Sequence, residues 1–187
     1  MARVIAIANQ KGGVGKTTTA INLAASLAAA EKRVLAVDLD PQGNLTSGFG
    51  LRKEPGLYDA LFSGVSLPRP ARTDLEFLSV VPSDEDLAGL EVELAGREHR
   101  EFRVRVAIDA VRSGYDFILL DTPPSLGLLA VNALTAADSV LVPIQCEYFA
   151  LEGLGAFLED VATHAFAVFD PGLGSAFYTI NLLTGEA

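Results

Sequence analysis

The chain has 187 residues, enough for one domain with a sizeable core, and half of them are apolar while only 7% are aromatic. Its formal net charge is −10, and its single cysteine, Cys146, excludes an intrachain disulfide framework and suits a reducing compartment. No apolar run reaches the ~18 residues that a membrane helix needs, and no signal peptide precedes the first apolar run, so we expect a cytoplasmic protein without a membrane partner.

Apolar runs of strand length alternate with helical stretches along the chain. Most of these runs are continuous, which indicates strands buried on both faces of a parallel sheet. The alternation predicts an α/β fold, in which a mostly parallel twisted sheet is flanked by helices on both faces, and one domain spans residues 1–187. In chain order the predicted elements are strand Arg3–Ala8, helix Lys16–Ala30, strand Arg33–Val37, helix Leu57–Phe62, strand Leu75–Val81, helices Asp84–Ala95 and Arg97–Ser113, strand Asp116–Leu120, helix Leu126–Ala136, strand Ser139–Ile144, helix Glu147–Ala162 and, less regularly, strand Phe177–Leu183.

A glycine-rich stretch, NQKGGVGKTTTA, follows the first predicted strand and begins the first predicted helix. Gly12, Gly13 and Gly15 allow tight turns, so that successive N–H groups can form an anion-binding concavity at the helix N-terminus. A turn without a ligand is the alternative. The order of strand, loop, GKT and long helix favours nucleotide binding.

Three polar residues at the start of that helix fit a bound nucleotide. Lys16 is placed to reach the β- and γ-phosphate oxygens, and the Thr17 hydroxyl is placed to ligate Mg²⁺. Thr18 is placed to bond the α-phosphate. The sequence therefore predicts a phosphate site at the carboxyl edge of the sheet, where α/β folds bind ligands.

The loop departs from the generic pattern G-x-x-x-x-G-K-[ST], because Gln10 stands at the first glycine position and Lys11 follows it. Residues 11–17, KGGVGKT, instead resemble the deviant Walker A motif K-G-G-x-G-K-[ST] of the ParA/MinD group of P-loop ATPases. The resemblance implies a P-loop NTPase fold, with ATP and Mg²⁺ as cofactors. It also implies an ATP-dependent homodimer in which Lys11 reaches the partner's phosphates and stabilises the transferred charge. A solvated loop lysine is the alternative for Lys11. The resemblance implies that the nucleotide is bound by Lys11, Gly12, Gly13, Val14, Gly15, Lys16, Thr17 and Thr18.

Acidic residues end two further predicted strands. In VDLDPQGN the resemblance implies that Asp40 positions the attacking water and that Asp38 lies near the magnesium shell. If the strand extended through Asp38 and Asp40, their side chains would project in the same direction. The alternative is that these two acids only cap a turn. In YDFILLDTPPS, Asp121 ends a Walker B-like strand and is expected to hold Mg²⁺ through a water. The predicted catalytic residues are thus Lys11, Lys16 and Asp40, and the predicted metal-site residues are Thr17, Asp38, Asp40 and Asp121.

Two stretches, DLDPQGN and PIQCEYFALEGL (residues 143–154), are similar to those of chromosome- and plasmid-partition ATPases. The resemblance covers roughly Arg3 to Glu159 and implies a weak ATPase that drives DNA segregation with a ParB-like centromere-binding protein. The family also binds DNA without sequence preference through a basic surface, which would place it on the nucleoid. Here the cluster of Arg97, Arg100 and neighbouring arginines is interleaved with glutamates, which is typical of a solvated helix face.

Two alternatives stay open at this point. One is a MinD-like or other cargo-positioning ATPase of the same fold. The other is a shortened form that binds nucleotide without turnover, because the sequence from about Thr163 does not resemble the family.

Overall fold

A computed structural model describes residues 1–53, 56–144, 155–157 and the backbone of 179–184. Within these ranges seven strands form one sheet: β1 (Arg3–Ile7), β2 (Val34–Asp38), β3 (Ala71–Arg72), β4 (Leu78–Val81), β5 (Phe117–Asp121), β6 (Ser139–Ile144) and β7 (Thr179–Thr184). They lie in the order β3-β4-β2-β5-β1-β6-β7. All neighbours are parallel except β3 and β4, so the predicted α/β class with a mostly parallel sheet is confirmed.

Helices cover both faces of the sheet. They are α1 (Lys16–Ala29), α2 (Asn44–Gly48), α3 (Tyr58–Ser63), α4 (Leu90–Glu93), α5 (Arg103–Val111) and α6 (Leu128–Ala136), with 3₁₀ turns at Glu85–Ala88, Arg100–Phe102 and Arg112–Gly114. Successive residues of β2 face opposite cores, because Leu35 and Val37 pack with α5 and α6 whereas Val34 and Ala36 pack with α1. The continuous apolar run of β2 therefore follows from its burial on both faces.

Helix α1 lies close to the sheet because its inner face consists of small side chains. Ala20, Ala24 and Ala28 recur every fourth residue and are at most 4% exposed. Residues at this spacing share one face of a helix. The alanine face therefore seats α1 over β1 and β5, with its N-terminus at the carboxyl edge of the sheet.

The predicted helix Asp84–Ala95 is wrong as a single helix. A 3₁₀ turn at Glu85–Ala88 precedes the short α4, and Gly96 then adopts a left-handed φ of 78°. The Asp84 carboxylate accepts a hydrogen bond from the Leu87 N–H at 3.0 Å. This cap fixes the start of the 3₁₀ turn, and the left-handed glycine ends the helical region.

Helix Arg97–Ser113 is predicted too long at its N-terminal end, because α5 begins only at Arg103. His99 has a φ of 57°, a left-handed value that no continuing helix accepts. The strand predicted at Leu75–Val81 likewise begins only at Leu78, after a turn in which the Leu78 N–H donates to the Leu75 carbonyl at 3.0 Å. In both places the hydrophobic periodicity of the sequence continued through a turn.

Most of the other predicted bounds agree with the structure within two residues. Helix α2 and strand β3 were not predicted. Of the predicted helix Glu147–Ala162, only residues 155–157 are described, and they are helical; the rest, with most of PIQCEYFALEGL, lies outside the described residues. Strand Phe177–Leu183 corresponds to β7, which begins two residues later and ends one residue later than predicted. The part of the chain that the structure describes has no helix long and apolar enough to cross a bilayer.

Candidate functional site

The predicted phosphate loop joins β1 to α1. Gly13 and Gly15 adopt left-handed φ values of 74° and 87°, and Gly15 is the residue immediately before the helix. A Cβ placed at Gly12, Gly13 or Gly15 would meet no protein atom within 4 Å. The space in front of these glycines is therefore open, which is the condition for a ligand to approach the backbone closely.

A cavity of about 460 Å³ opens in front of this loop. It is bounded by the loop glycines, the first turns of α1, and residues from the loops after β2 and β5. Its lining residues are Gly12, Gly13, Gly15, Lys16, Thr17, Thr18, Ile21, Asp40, Asn44 and Pro124. Val14 is 8% exposed and belongs to the core, so it can contribute only its main chain to a ligand.

The two lysines of the loop have different surroundings. The Lys16 side chain is nearly buried, and its Nζ donates to the Lys11 carbonyl at 3.2 Å. Burial lowers the pKa of Lys16, and the carboxylates of Asp121 and Asp40 oppose this decrease. Lys11 is exposed at the rim of the loop, and its N–H donates to Asn9 Oδ1 at 3.0 Å. Lys16 therefore faces the interior of the site, whereas Lys11 faces outward.

Asn9 ties the loop to the next strand, because its Nδ2 donates to the Pro143 carbonyl of β6 at 2.8 Å. The Thr122 hydroxyl, after β5, similarly donates to the Ile7 carbonyl of β1 at 2.9 Å. Neither contact was predicted from the sequence. Together they hold the ends of β5, β1 and β6 in register beneath the loop.

Asp121 lies at the centre of the carboxyl edge, where it pairs in register with Asp38 of β2 and with Ile7 of β1. It is fully buried, and neither of its carboxylate oxygens has a hydrogen-bond partner among the described residues. A buried carboxylate without partners is costly unless a cation or a water compensates it. Asp121 therefore fits the predicted magnesium site.

The electrostatics agree with this assignment. The pKa of Asp121 is raised to about 7, mainly by burial and also by the neighbouring carboxylates of Asp38 and Asp40. The nearby Thr17 hydroxyl and Lys16 ammonium lower it, although the hydroxyl is not within good hydrogen-bond geometry of the carboxylate. A divalent cation would remove the repulsion among the acids.

Asp38 and Asp40 are both buried, but their carboxylates have different hydrogen-bond partners. The strand ends at Asp38, so the predicted shared strand face does not exist. Asp38 accepts hydrogen bonds from the Thr46 hydroxyl at 2.6 Å and from the Thr46 N–H at 2.8 Å, and burial still raises its pKa. Asp40 accepts from the Gln42 N–H at 2.9 Å and lines the cavity. Asp40 is thus the acid placed towards a ligand, and Asp38 is largely satisfied by the protein.

The described residues contain no group of three or more His, Cys, Asp or Glu side chains arranged to hold a metal by themselves. Mg²⁺ is usually bound through one or two carboxylates together with phosphates and waters. The predicted metal-site residues Thr17 and Asp121 therefore fit a magnesium ion that arrives with a nucleotide.

The predicted basic cluster is largely paired within the protein. The Arg97 guanidinium lies 4.3 Å from the centre of the Phe62 ring. Arg100 pairs with Glu101 at 2.8 Å, and Arg105 lies 3.9 Å from Asp109. Arg97 precedes α5 and Arg100 lies in a 3₁₀ turn, so these arginines do not form the single helix face that the sequence indicated, but each of the three contacts a partner within the protein.

The AAA domain family AAA_31 matches residues 2–167. The chromosome partitioning protein ParA of Myxococcus xanthus is 57% identical over 157 residues, which are 81% of this chain and 55% of that protein. The sporulation initiation inhibitor protein Soj of Bacillus subtilis is 53% identical over 165 residues, 86% of this chain and 65% of that protein. The chain thus spans less than two thirds of the length of these relatives.

A solved structure is similar over most of the chain. Cobyrinic acid a,c-diamide synthase from Mycobacterium smegmatis, with bound ADP and magnesium, superposes with a TM-score of 0.80 at 43% identity. The match covers 87% of this chain and 69% of that one. With its glycine loop, its strand-end acids and these matches, the chain belongs to the AAA_31 family of AAA domains and is a homologue of the ParA and Soj chromosome-partitioning ATPases.

Proposed function

We propose that the chain binds ATP with Mg²⁺, dimerises around the nucleotide and hydrolyses its β–γ bond, in a cycle that drives chromosome or plasmid segregation with a ParB-like partner. The observation that carries the proposal is the convergence of the left-handed loop glycines, the Lys16 side chain and Asp40 on one open cavity. The partition proteins among its relatives support the cellular role. The solved structure with ADP and magnesium supports the cofactors.

Lys16 supplies the main phosphate cation in this proposal. Its Nζ donates to the Lys11 carbonyl, and an ammonium group can donate three hydrogen bonds. Phosphate oxygens entering the cavity would accept hydrogen bonds from this ammonium group. The amides of the loop and the positive end of α1 would bind the same anion, since the N-terminus of a helix attracts phosphate.

Asp121 and Thr17 would hold Mg²⁺, and Asp38 would contribute to its surroundings. The Asp121 oxygens, which accept no hydrogen bond from the described residues, and the adjacent Thr17 hydroxyl are suitable oxygen ligands, directly or through water. When bound, Mg²⁺ neutralises the charge that develops during phosphoryl transfer. Asp40, at the edge of the cavity, would accept a hydrogen bond from the attacking water and orient it towards the γ-phosphate.

Lys11 would act across the dimer. Its exposed position at the rim of the loop suits a contact with the γ-phosphate of a second copy rather than with its own nucleotide. A cation supplied in trans stabilises the transition state and links hydrolysis to association. Loss of the γ-phosphate would then return the dimer to monomers, so that ATP sets one of two states.

The test of the proposed site is Lys16→Ala with Lys32→Ala as the matched control, because Lys32 is exposed just before β2 at the opposite edge of the sheet. Hydrogen bonds to charged groups contribute about 1.5–3 kcal/mol, so Lys16→Ala should weaken ATP binding roughly 10- to 150-fold or more. Titration with a fluorescent ATP analogue measures this. Equal affinities of the two variants would refute the site.

A phosphate-release assay with and without DNA separates the proposed ATPase from a nucleotide-binding form without turnover. Release of phosphate that Lys16→Ala abolishes supports the ATPase. ATP binding without any release, under conditions where the chain dimerises, would favour the non-hydrolysing form. The gene's position beside a ParB-like gene would distinguish segregation from the positioning of other cargo.

A further inference from the structure

A closed ring of hydrogen bonds surrounds the loop that carries Asp40. The Asp40 N–H donates to Asp38 Oδ1 at 3.2 Å, and the Thr46 hydroxyl donates to Asp38 Oδ2 at 2.6 Å. The Ser83 N–H donates to the Thr46 hydroxyl oxygen at 3.0 Å, and the Ser83 hydroxyl donates to the Asp40 carbonyl at 2.6 Å. The ring therefore returns to Asp40, the residue at which it starts.

The direction of each hydrogen bond follows from the donors available. A hydroxyl has one hydrogen to donate, and both Asp38 oxygens already accept backbone N–H groups, so the Thr46 hydroxyl gives its hydrogen to Asp38. Its oxygen is then free to accept from the Ser83 N–H. Removing the Thr46 hydroxyl would break two bonds of the ring at once.

The ring is shielded from water, because Asp38, Thr46 and Ser83 are fully buried. Hydrogen bonds in such surroundings are strong, and unmade ones are costly, so the ring has one favoured geometry. It joins three separate parts of the chain, namely the end of β2, helix α2 and the residue two positions after β4.

Asp40 is the only ring member that lines the cavity. Its main chain is held on both sides, at the N–H by Asp38 and at the carbonyl by the Ser83 hydroxyl and by the Gly43 N–H of the local turn at 2.8 Å. The strand has already ended at Asp38, so the bonds to Asp38 and Ser83 are the ones that join the Asp40 main chain to other parts of the fold in place of strand pairing. Beside the local turn bonds from the Gln42 and Gly43 N–H groups, the restraint on Asp40 from the rest of the fold thus runs through two hydroxyl groups that do not reach the ligand.

We propose that Thr46 and Ser83 are positioning residues, which hold the Asp40 loop so that its carboxylate is aligned with the attacking water. The inference rests on the proposed ATPase function. Neither residue touches the cavity, so each acts through Asp40. A displacement of about 1 Å in a reacting group can cost on the order of 10²-fold in rate.

The test compares Thr46→Val, which removes the hydroxyl but keeps the shape and the N–H, with Thr46→Ser, which restores a hydroxyl. Thr135→Val is the matched control, since Thr135 is also buried and its hydroxyl donates to the Glu101 carbonyl at 2.7 Å in another part of the fold. We expect Thr46→Val to lower kcat roughly 10- to 100-fold with ATP affinity within about 2-fold. Thr46→Ser should recover most of kcat, and Thr135→Val should retain it.

A second measurement does not depend on turnover. In nucleotide-free protein, NMR-detected amide exchange of Ser83 and Asp40 should be faster in Thr46→Val than in wild type, and unchanged in Thr135→Val. Ser83→Ala, which removes the bond to the Asp40 carbonyl, should likewise speed exchange at Asp40. Unchanged exchange at Asp40 in both ring variants would overturn the inference.

The two readouts separate the inference from the function on which it rests. Absence of phosphate release from the wild type would refute the ATPase proposal, while the exchange rates would still decide whether the ring holds the Asp40 loop. Wild-type hydrolysis with an unaltered kcat in Thr46→Val would refute the positioning role alone.

Discussion

The substitution Gly15→Ala tests whether the backbone of the phosphate loop has the conformation described. Gly15 has a φ of 87°, and a Cβ there would meet no protein atom within 4 Å. The cost of an alanine is therefore conformational, and left-handed geometry costs a side-chain-bearing residue roughly 1–2 kcal/mol. For a chain of this size, that corresponds to a decrease in Tm of about 2–8 °C.

Gly12→Ala is the matched control, because Gly12 has the same open surroundings and lies outside the left-handed region. Alanine at a compatible position tends to stabilise a protein by about 0.4–1 kcal/mol, so Gly12→Ala should not lower Tm. Its methyl group would nevertheless project next to the phosphate cavity and weaken ATP binding. The two variants thus separate stability from ligand affinity.

The assay is thermal unfolding without nucleotide, followed by circular dichroism, with titration of a fluorescent ATP analogue in parallel. Gly15→Ala should unfold at a lower temperature than wild type and Gly12→Ala should not, while both bind ATP more weakly. Equal Tm values for Gly15→Ala and Gly12→Ala would refute the assigned backbone conformation. Undiminished ATP affinity in Gly12→Ala would refute the placement of phosphates against the loop.

Three further predictions concern the charged groups. Lys11→Ala should leave ATP binding measurable but remove ATP-dependent dimers in light scattering, and dimers of normal stability would reject its role in trans. Asp40→Ala should produce a long-lived ATP dimer with slow phosphate release, and near-normal hydrolysis would contradict its role in orienting water. Arg33 hydrogen-bonds Asp116 and lowers its pKa to about 2, so this pair stabilises the fold above about pH 4 and its contribution is lost as the pH falls through 2. Asp116→Asn should therefore flatten that part of the acid-unfolding curve measured by circular dichroism, and an unchanged curve would show that the pair does not contribute.

The phosphate loop could be predicted because its determinants are contiguous in the sequence. Lys11 to Thr18 contain the glycines, the cations and the start of the helix, so local chemistry specifies the conformation. The proximity of Asp38 and Asp121 could also be predicted, since parallel strands bring their carboxyl ends to one edge. These features need no knowledge of which side chains meet across the fold.

The ring around Asp40 could not be predicted, because Thr46 and Ser83 are 37 residues apart and meet only when β2 and β4 pair. Neither side chain carries a local signal beyond that of an ordinary hydroxyl residue. The start of α5 was misplaced for a different reason. The sequence from Arg97 continues a helical pattern, but the left-handed backbone at Gly96 and His99 redirects the chain before Arg103.

Strand β3 bears on how the protein avoids aggregation. It is two residues long, pairs antiparallel to β4 at one margin of the sheet, and follows Pro70, which has no N–H to donate. Exposed strand margins invite intermolecular strand addition, and short length, proline and charge such as Arg72 discourage it. A strand of another molecule therefore has few backbone groups to pair with at β3. This edge does not support the growth of a continuous intermolecular sheet.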